Sequence, residues 1–537
     1  MTESARGQQR FAIQNCPLEW SFRSTKQYRD PFNEVELDVV LTLPSGAQHR
    51  VPAFWGGGST WRFRYAPPAS GRYTYRTVAN DSSNSDLHGL TGAITVQAYS
   101  DNNPLYRHGT LRVTDDRRHF QHADGTPFFW LGDTWWMGLC RRLTWPDGFQ
   151  RLASDRLRKG FTVVQIVAGL YPDMPAYDPR GENEAGFPWE KDYARINPAY
   201  FDMADIRIQY LADSGITPCV VGCWGYFLAQ MGLPKMKQHW RYLVARWGAY
   251  PVVWCLSGEA TMPFYLSTTR DRDMEVQKKG WTEMARYVRS IDPLHHLITL
   301  HPPRIARDCV EDASVLDFDM LQTGHDDRRA APTTVETINR SLGSDPKMPV
   351  LVGEVCYEGI QEASRQEVQR YMFWASMLSG TAGHTYGANG IWQVNTPEQP
   401  YGLSPHGHSW GGPPWNIAAE LPGSGQLGLA KSLLSRYSWT HLEPASQLVE
   451  PRWMREDYWQ PFAAQIPGEA VFAFAPTGRK PIRFHGLPAF VKRAYFFNPS
   501  DGTEVQLGSV APDGEGGWKV PEFPIFRDWV VVLDTKA

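Results

Sequence analysis

Pro349-Val350-Leu351-Val352-Gly353-Glu354-Val355 is a short apolar run that delivers a carboxylate at its far end. Three aliphatic residues in a row after a proline call for burial on both faces, as in a parallel sheet. A Glu placed directly after such a strand stands where a (β/α)₈ barrel keeps its chemistry, at the C-terminal rim. The segment Val252-Val253-Trp254-Cys255-Leu256-Ser257-Gly258-Glu259 repeats the design. Two strand-end carboxylates in one barrel are what hydrolysis of a glycosidic bond requires.

Working outward, the chain alternates strand and amphipathic helix from about 111 to 440. Candidate strands fall at 127–133, 161–167, 216–222, 252–258, 296–301, 318–323, 349–353 and 382–386, and eight is the barrel number. Between them run helical stripes such as Phe149, Leu152, Ala153 and Leu157, or Trp240, Leu243, Val244 and Trp247. Thr144 with Asp147, and Ser364 with Glu367, have the spacing of capping boxes. The Gly-, Pro-, Trp- and His-rich segment 387–440 is too long for a simple turn and is expected to wall the barrel mouth.

Either side of the barrel the pattern has period two. Thr60-Trp61-Arg62-Phe63-Arg64-Tyr65 and Gly71-Arg72-Tyr73-Thr74-Tyr75-Arg76 predict an antiparallel sandwich, either a packing or a carbohydrate-binding domain. Val471-Phe472-Ala473-Phe474 and Trp529-Val530-Val531-Val532-Leu533 predict a small all-β domain at the other end. The expected organisation is an N-terminal sandwich over 1–100, a barrel over 101–440 and a C-terminal β-domain over 441–537. Residues 1–10 read as disordered and 97–110 as a linker.

With 54 basic and 57 acidic residues, a net charge of −3 gives no broad basic surface for nucleic acid or anionic lipid. No 18-residue apolar run occurs and the first residues have no apolar core, so a soluble, cytoplasmic protein is expected. The seven Cys show neither a CxxC pair nor zinc-like spacing, and phosphate-cradling glycine motifs are absent. The 22 Trp and 23 Tyr suit either core packing or stacking against sugar rings.

Glu259 follows the fourth candidate strand and Glu354 the seventh, on opposite sides of the mouth. Other strand ends add polar or aromatic groups: Asp133 and Trp135 on the first, Gln165 on the second and Trp224 on the third. His301 ends the fifth, Gln322 and His325 the sixth, and His384 and Tyr386 the eighth, with Trp392 just beyond. Together they outline a sugar pocket, with a His or Tyr expected to orient Glu354 by hydrogen bond. A metal-dependent hydrolase is the rival for so many His. However, His406-Gly407-His408 lies in a loop, and a strand would turn His295 and His296 to opposite faces.

These residues resemble the apiosidase-like glycoside hydrolases within the wider clan A of (β/α)₈ glycosidases. The carrying segments are Pro127-Phe128-Phe129-Trp130-Leu131-Gly132-Asp133-Thr134-Trp135-Trp136, Ser257-Gly258-Glu259 and Val352-Gly353-Glu354. The resemblance implies Glu259 as acid/base and Glu354 as nucleophile, and it puts Gly258 where clan A barrels usually carry an Asn that meets the sugar 2-hydroxyl. The reading is a retaining, exo-acting glycosidase on short oligosaccharides or glycosides, without metal or organic cofactor. Its alternative is a non-catalytic carbohydrate-binding barrel. Homo-oligomers through the β-domains remain open.

Overall fold

A computed structural model describes residues 8–535 of the protein. Eight parallel strands make one sheet in which chain neighbours are spatial neighbours: β1 Trp130–Trp135, β2 Val163–Val167, β3 Thr217–Val221, β4 Val253–Cys255, β5 Ile298–Thr299, β6 Asp319–Gln322, β7 Val350–Glu354 and β8 Gly383–Tyr386. β8 returns to pair with β1, Leu131 opposite His384. No ladder joins β5 to β6. That seam is closed by Asp317 N donating to Ile298 O at 2.9 Å and Thr299 Oγ1 donating to Phe318 O at 2.9 Å. The result is a (β/α)₈ barrel.

The cause is visible in the strands themselves. Val350, Leu351 and Val352 are all fully buried, as a strand between barrel interior and helix layer must be. Each contributes about 1.5–3 kcal/mol of transfer free energy. The helices turn their stripes onto this sheet. Phe149, Leu152 and Ala153 are buried on Asp147–Arg158, and Trp240, Leu243 and Trp247 on Leu233–Trp247.

Three local expectations change. The first candidate strand splits: Pro127–Phe128 joins Phe120–His122 and Leu111–Val113 in a small antiparallel sheet, and β1 begins only at Trp130. Ser364 does not cap Gln366–Leu378. It takes φ 51°, its hydroxyl makes no hydrogen bond among the described residues, and its backbone N–H donates to Asp327 Oδ1 at 2.8 Å. Thr144 Oγ1 does accept from Gly148 N at 3.3 Å, but cis-linked Pro146 intervenes before the helix begins.

Before the barrel, a five-stranded sheet and the three-stranded sheet of Leu18–Arg23, Thr60–Tyr65 and Phe54–Trp55 enclose Leu37, Val39, Trp61, Phe63 and Tyr73. Of the stretch expected to be disordered, 1–7 lie outside the described residues, whereas 8–10 open the strand Gln8–Ile13, paired in parallel with Thr91–Gln97. Inside the expected linker, Asn103 caps the short helix Pro104–His108. After the barrel come a six-stranded and a three-stranded sheet, with Ala473, Phe496, Val531 and Leu533 in their core. Arg64 and Arg246 share Asp205 at 2.6 and 2.9 Å, tying the sandwich to the barrel helices. No described helix is long and apolar enough to cross a membrane.

Candidate active site

Glu354 ends β7, and β6 carries a bulge at Leu321/Gln322 that sets Gln322 opposite it. Past β4 the chain continues through a bridge between Gly258 and Trp224. Glu259 then takes φ 41°, a left-handed conformation uncommon for a residue with a Cβ and typical of strained functional positions.

The two carboxylates meet at one amide. Gln322 Nε2 donates to Glu259 Oε1 at 3.2 Å and to Glu354 Oε1 at 3.1 Å. Because both oxygens are held by one nitrogen, they lie no more than about 6.3 Å apart, the sum of the 3.2 and 3.1 Å contacts. Trp224 Nε1 donates to Glu259 Oε2 at 3.3 Å. On Glu354, His325 Nε2 lies 2.8 Å from Oε1 and the Tyr357 hydroxyl donates to Oε2. His301 Nε2 approaches Oε2 to 3.1 Å, although its ring is not aligned for a full hydrogen bond.

These surroundings push the two acids apart electrostatically. Burial, helped by the negative charge of Glu354, pushes Glu259 up to about 7. Burial also acts to raise Glu354, but the close imidazoles of His301 and His325 outweigh it and hold Glu354 well below the usual carboxylate range. At neutral pH one group can carry a proton while the other is ionised, the split that acid and nucleophile roles need.

A cavity of about 410 Å³ opens above the pair and is lined from the ends of seven of the eight strands, all but β5. Of the residues expected there, Trp224, Glu259, Gln322, His325, Glu354 and Trp392 line it. His301 lies beneath, buried edge-to-face on Trp136 at 5.1 Å.

Five others do not line it. Asp133 is fully buried, accepting from Arg156 Nε at 2.6 Å and Trp135 Nε1 at 2.7 Å. Trp135 packs edge-to-face on Phe149 of the following helix. His384 faces Phe373 with neither ring nitrogen hydrogen-bonded among the described residues, and burial pushes it down to about 3. The Tyr386 hydroxyl donates to buried Glu358 at 2.5 Å. All four point outward from the barrel, because alternation along β1 and β8 sends 133, 135, 384 and 386 to the helix side. Gln165 points inward but too deep, donating to Gly353 O at 2.8 Å and so bracing the strand that carries Glu354.

The cavity also holds residues not anticipated as site residues. Trp136 takes the place expected of Trp135, one position on. Tyr357 follows Glu354 by three residues. Asp173 sits on the loop after β2 and accepts from Trp410 Nε1 at 3.1 Å. His406 stacks on Tyr265 at 5.0 Å, so the segment after β8 does wall the mouth. A Cβ at Gly258 would be driven into the Trp224 ring, so the position of the usual Asn is sterically closed here. Among the described residues no group of three or more His, Cys, Asp or Glu is arranged to hold a metal ion.

Comparison with known proteins agrees with this fold. Residues 15–80 match the model described as "Domain of unknown function (DUF5060)". A search of curated proteins returned no match. Among solved structures, one titled "Glycoside hydrolase" is 22% identical with a TM-score of 0.64, over 81% of this chain and 98% of its own. A glycoside hydrolase family 5 structure from Bacteroides vulgatus ATCC 8482 is 22% identical with a TM-score of 0.68, over 81% and 95%. A further protein of that organism, 15% identical with a TM-score of 0.70, aligns over 98% of this chain and 100% of its own. Since residues 114–441, more than half of the sequence, match the model described as "Apiosidase-like, catalytic domain", the chain belongs to the apiosidase-like family of glycoside hydrolases.

Proposed function

We propose that the protein is a retaining, exo-acting glycosidase in which Glu354 is the nucleophile and Glu259 the acid/base. The carrying observation is the Gln322 amide that holds both carboxylates. Two oxygens held within about 6.3 Å of each other fall short of the ~6.5–9.5 Å that leaves room for water in inversion and suit direct attack on the anomeric carbon, which needs about 5–5.5 Å.

In the first step a Glu354 oxygen bonds to the anomeric carbon as the bond to the leaving oxygen breaks. The Glu259 proton passes to that oxygen, releasing an alcohol. In the second step Glu259, now ionised, takes a proton from water. The resulting hydroxide displaces Glu354, with the anomeric configuration restored. His325, Tyr357 and His301 hold Glu354 ionised and oriented, and Trp224 fixes Glu259. Exo action on short substrates is supported by a cavity at the small end of ligand pockets, enclosed on many sides by rim residues.

The test is Glu259→Ala and Glu354→Ala on a panel of activated aryl glycosides, with and without azide. Each variant should lose at least ~100-fold in turnover. Azide should restore Glu259→Ala and yield a glycosyl azide of retained configuration. Sugar binding without turnover by the parent protein would favour the non-catalytic reading instead.

A further inference from the structure

The barrel and the C-terminal sheets enclose a second cleft, of about 470 Å³. Glu367 opens the helix after β7, so this cleft sits at the same rim of the barrel as the two acids. Arg328 lies three residues beyond cavity-lining His325. The opposite wall comes from the two chain segments flanking the paired ends Ala475 and Trp529, which bring Arg479, Phe526 and Arg527 to the rim.

Four guanidiniums line the cleft against two carboxylates. Arg370 is fully engaged, gripping Asp528 at 2.6 and 2.9 Å and Gln426 at 2.6 Å. Arg328 reaches Glu367 at 3.2 Å. That leaves two positive charges over. Arg479 has no carboxylate partner among the described residues and lies 4.4 Å over the ring of Phe526. Arg527 comes no nearer than 3.9 Å to Asp528, and its buried Nε has no hydrogen-bond partner among the described residues. That Nε is itself covered, but the Arg527 side chain is 25% exposed, and this open part of the guanidinium is what an incoming anion can reach. Phe526 is 62% exposed beside them, a flat apolar surface next to unspent donors.

We propose that this cleft is a second binding site, for an anionic saccharide. Arg479 and Arg527 take its carboxylate or sulfate, and a sugar face packs against Phe526. The choice of a saccharide rests on the glycosidase reading, and the cleft would hold a part of the substrate remote from the bond being cut. The excess of guanidinium over carboxylate among the lining residues argues for the charge on its own.

The test titrates full-length Glu354→Gln protein by calorimetry. The probes are a uronic-acid oligosaccharide, its carboxyl-reduced neutral counterpart and a sulfated oligosaccharide of equal length. At least one anionic oligosaccharide should bind ~10-fold more tightly than the neutral one, and which of them does so identifies the anion. Arg479→Ala with Arg527→Ala should remove most of that preference. The same pair of substitutions in the otherwise parental enzyme should leave hydrolysis of a small neutral aryl glycoside unchanged. Arg479→Lys guards against loss of fold and should keep part of the preference. Equal affinity for the neutral sugar, or undiminished binding in the double variant, would overturn the proposal. Binding is read without turnover, so failure of this site and failure of the catalytic reading are separate results.

Discussion

Replacing Gln322 by Met keeps roughly its volume and removes the amide that donates to both acids. The proposed chemistry requires Glu259 protonated and Glu354 ionised in the free enzyme. The kcat/KM profile should therefore fall on the basic side as Glu259 loses its proton, near pH 7. The hydrogen bond from Gln322 favours the ionised form of Glu259, so its loss raises the Glu259 pKa and moves the basic limb upward. A hydrogen bond to a charged group contributes about 1.5–3 kcal/mol. At 3.2 Å, with Gln322 only half-buried, the lower end applies. At about 1.4 kcal/mol per pKa unit, that is a rise of about one unit, to about pH 8. The assay is kcat/KM against pH for the best aryl glycoside, in parent and Gln322→Met. A basic limb that stays in place, or moves down, would refute the assignment of that limb to Glu259 and the role given to the amide.

Gly258→Ala should lower kcat/KM at least ~10-fold, because its Cβ displaces the Trp224 ring that steadies Glu259; overpacking of this kind costs about 1–3 kcal/mol. Unimpaired kinetics would show that Trp224 is free to move. Glu259→Gln should stabilise the fold in neutral and alkaline solution. A carboxyl whose folded pKa is raised from 4.5 to about 7 contributes stability that is full below pH 4.5 and lost as pH rises through 7. The gain in melting temperature should thus be absent near pH 4, grow up to pH 7, and correspond to at most about 3 kcal/mol. A pH-independent gain would contradict the burial of that charge. Asp133→Ala should destabilise by about 3–5 kcal/mol, since it deprives fully buried Arg156 of a partner at 2.6 Å. A stable variant with weakened sugar binding would return Asp133 to the pocket.

The barrel was legible because its signals are collective. Eight apolar runs interleaved with helical stripes leave few alternatives, and an error of two or three residues in any one boundary does not change the count. Side-chain direction has no such tolerance. Placing the first strand at 127–133 rather than Trp130–Trp135 left the parity at its end unresolved, and parity decides whether Trp135 or Trp136 faces the cavity. Asp133, His384 and Tyr386 went astray for the same reason. A pairing argument could have tested them, since Leu131 sits opposite His384 and Asp133 opposite Tyr386, and a Leu on β1 beside buried Trp130 suggests the helix side. Glu259 and Glu354 were findable because each follows a Gly at the end of an apolar run of sequence. Asp173 and Trp410 were not, because loops bring them together across 237 residues without a periodic signal.

The most direct test of the two-acid account is covalent trapping. A panel of 2-deoxy-2-fluoro glycosides with good leaving groups should inactivate the parent enzyme with release of one equivalent of leaving group. Peptide mapping by mass spectrometry should then find the sugar on Glu354. A label on another residue would contradict the account, as would a sugar of inverted configuration released from the parent glycoside with no glycosyl-enzyme detected.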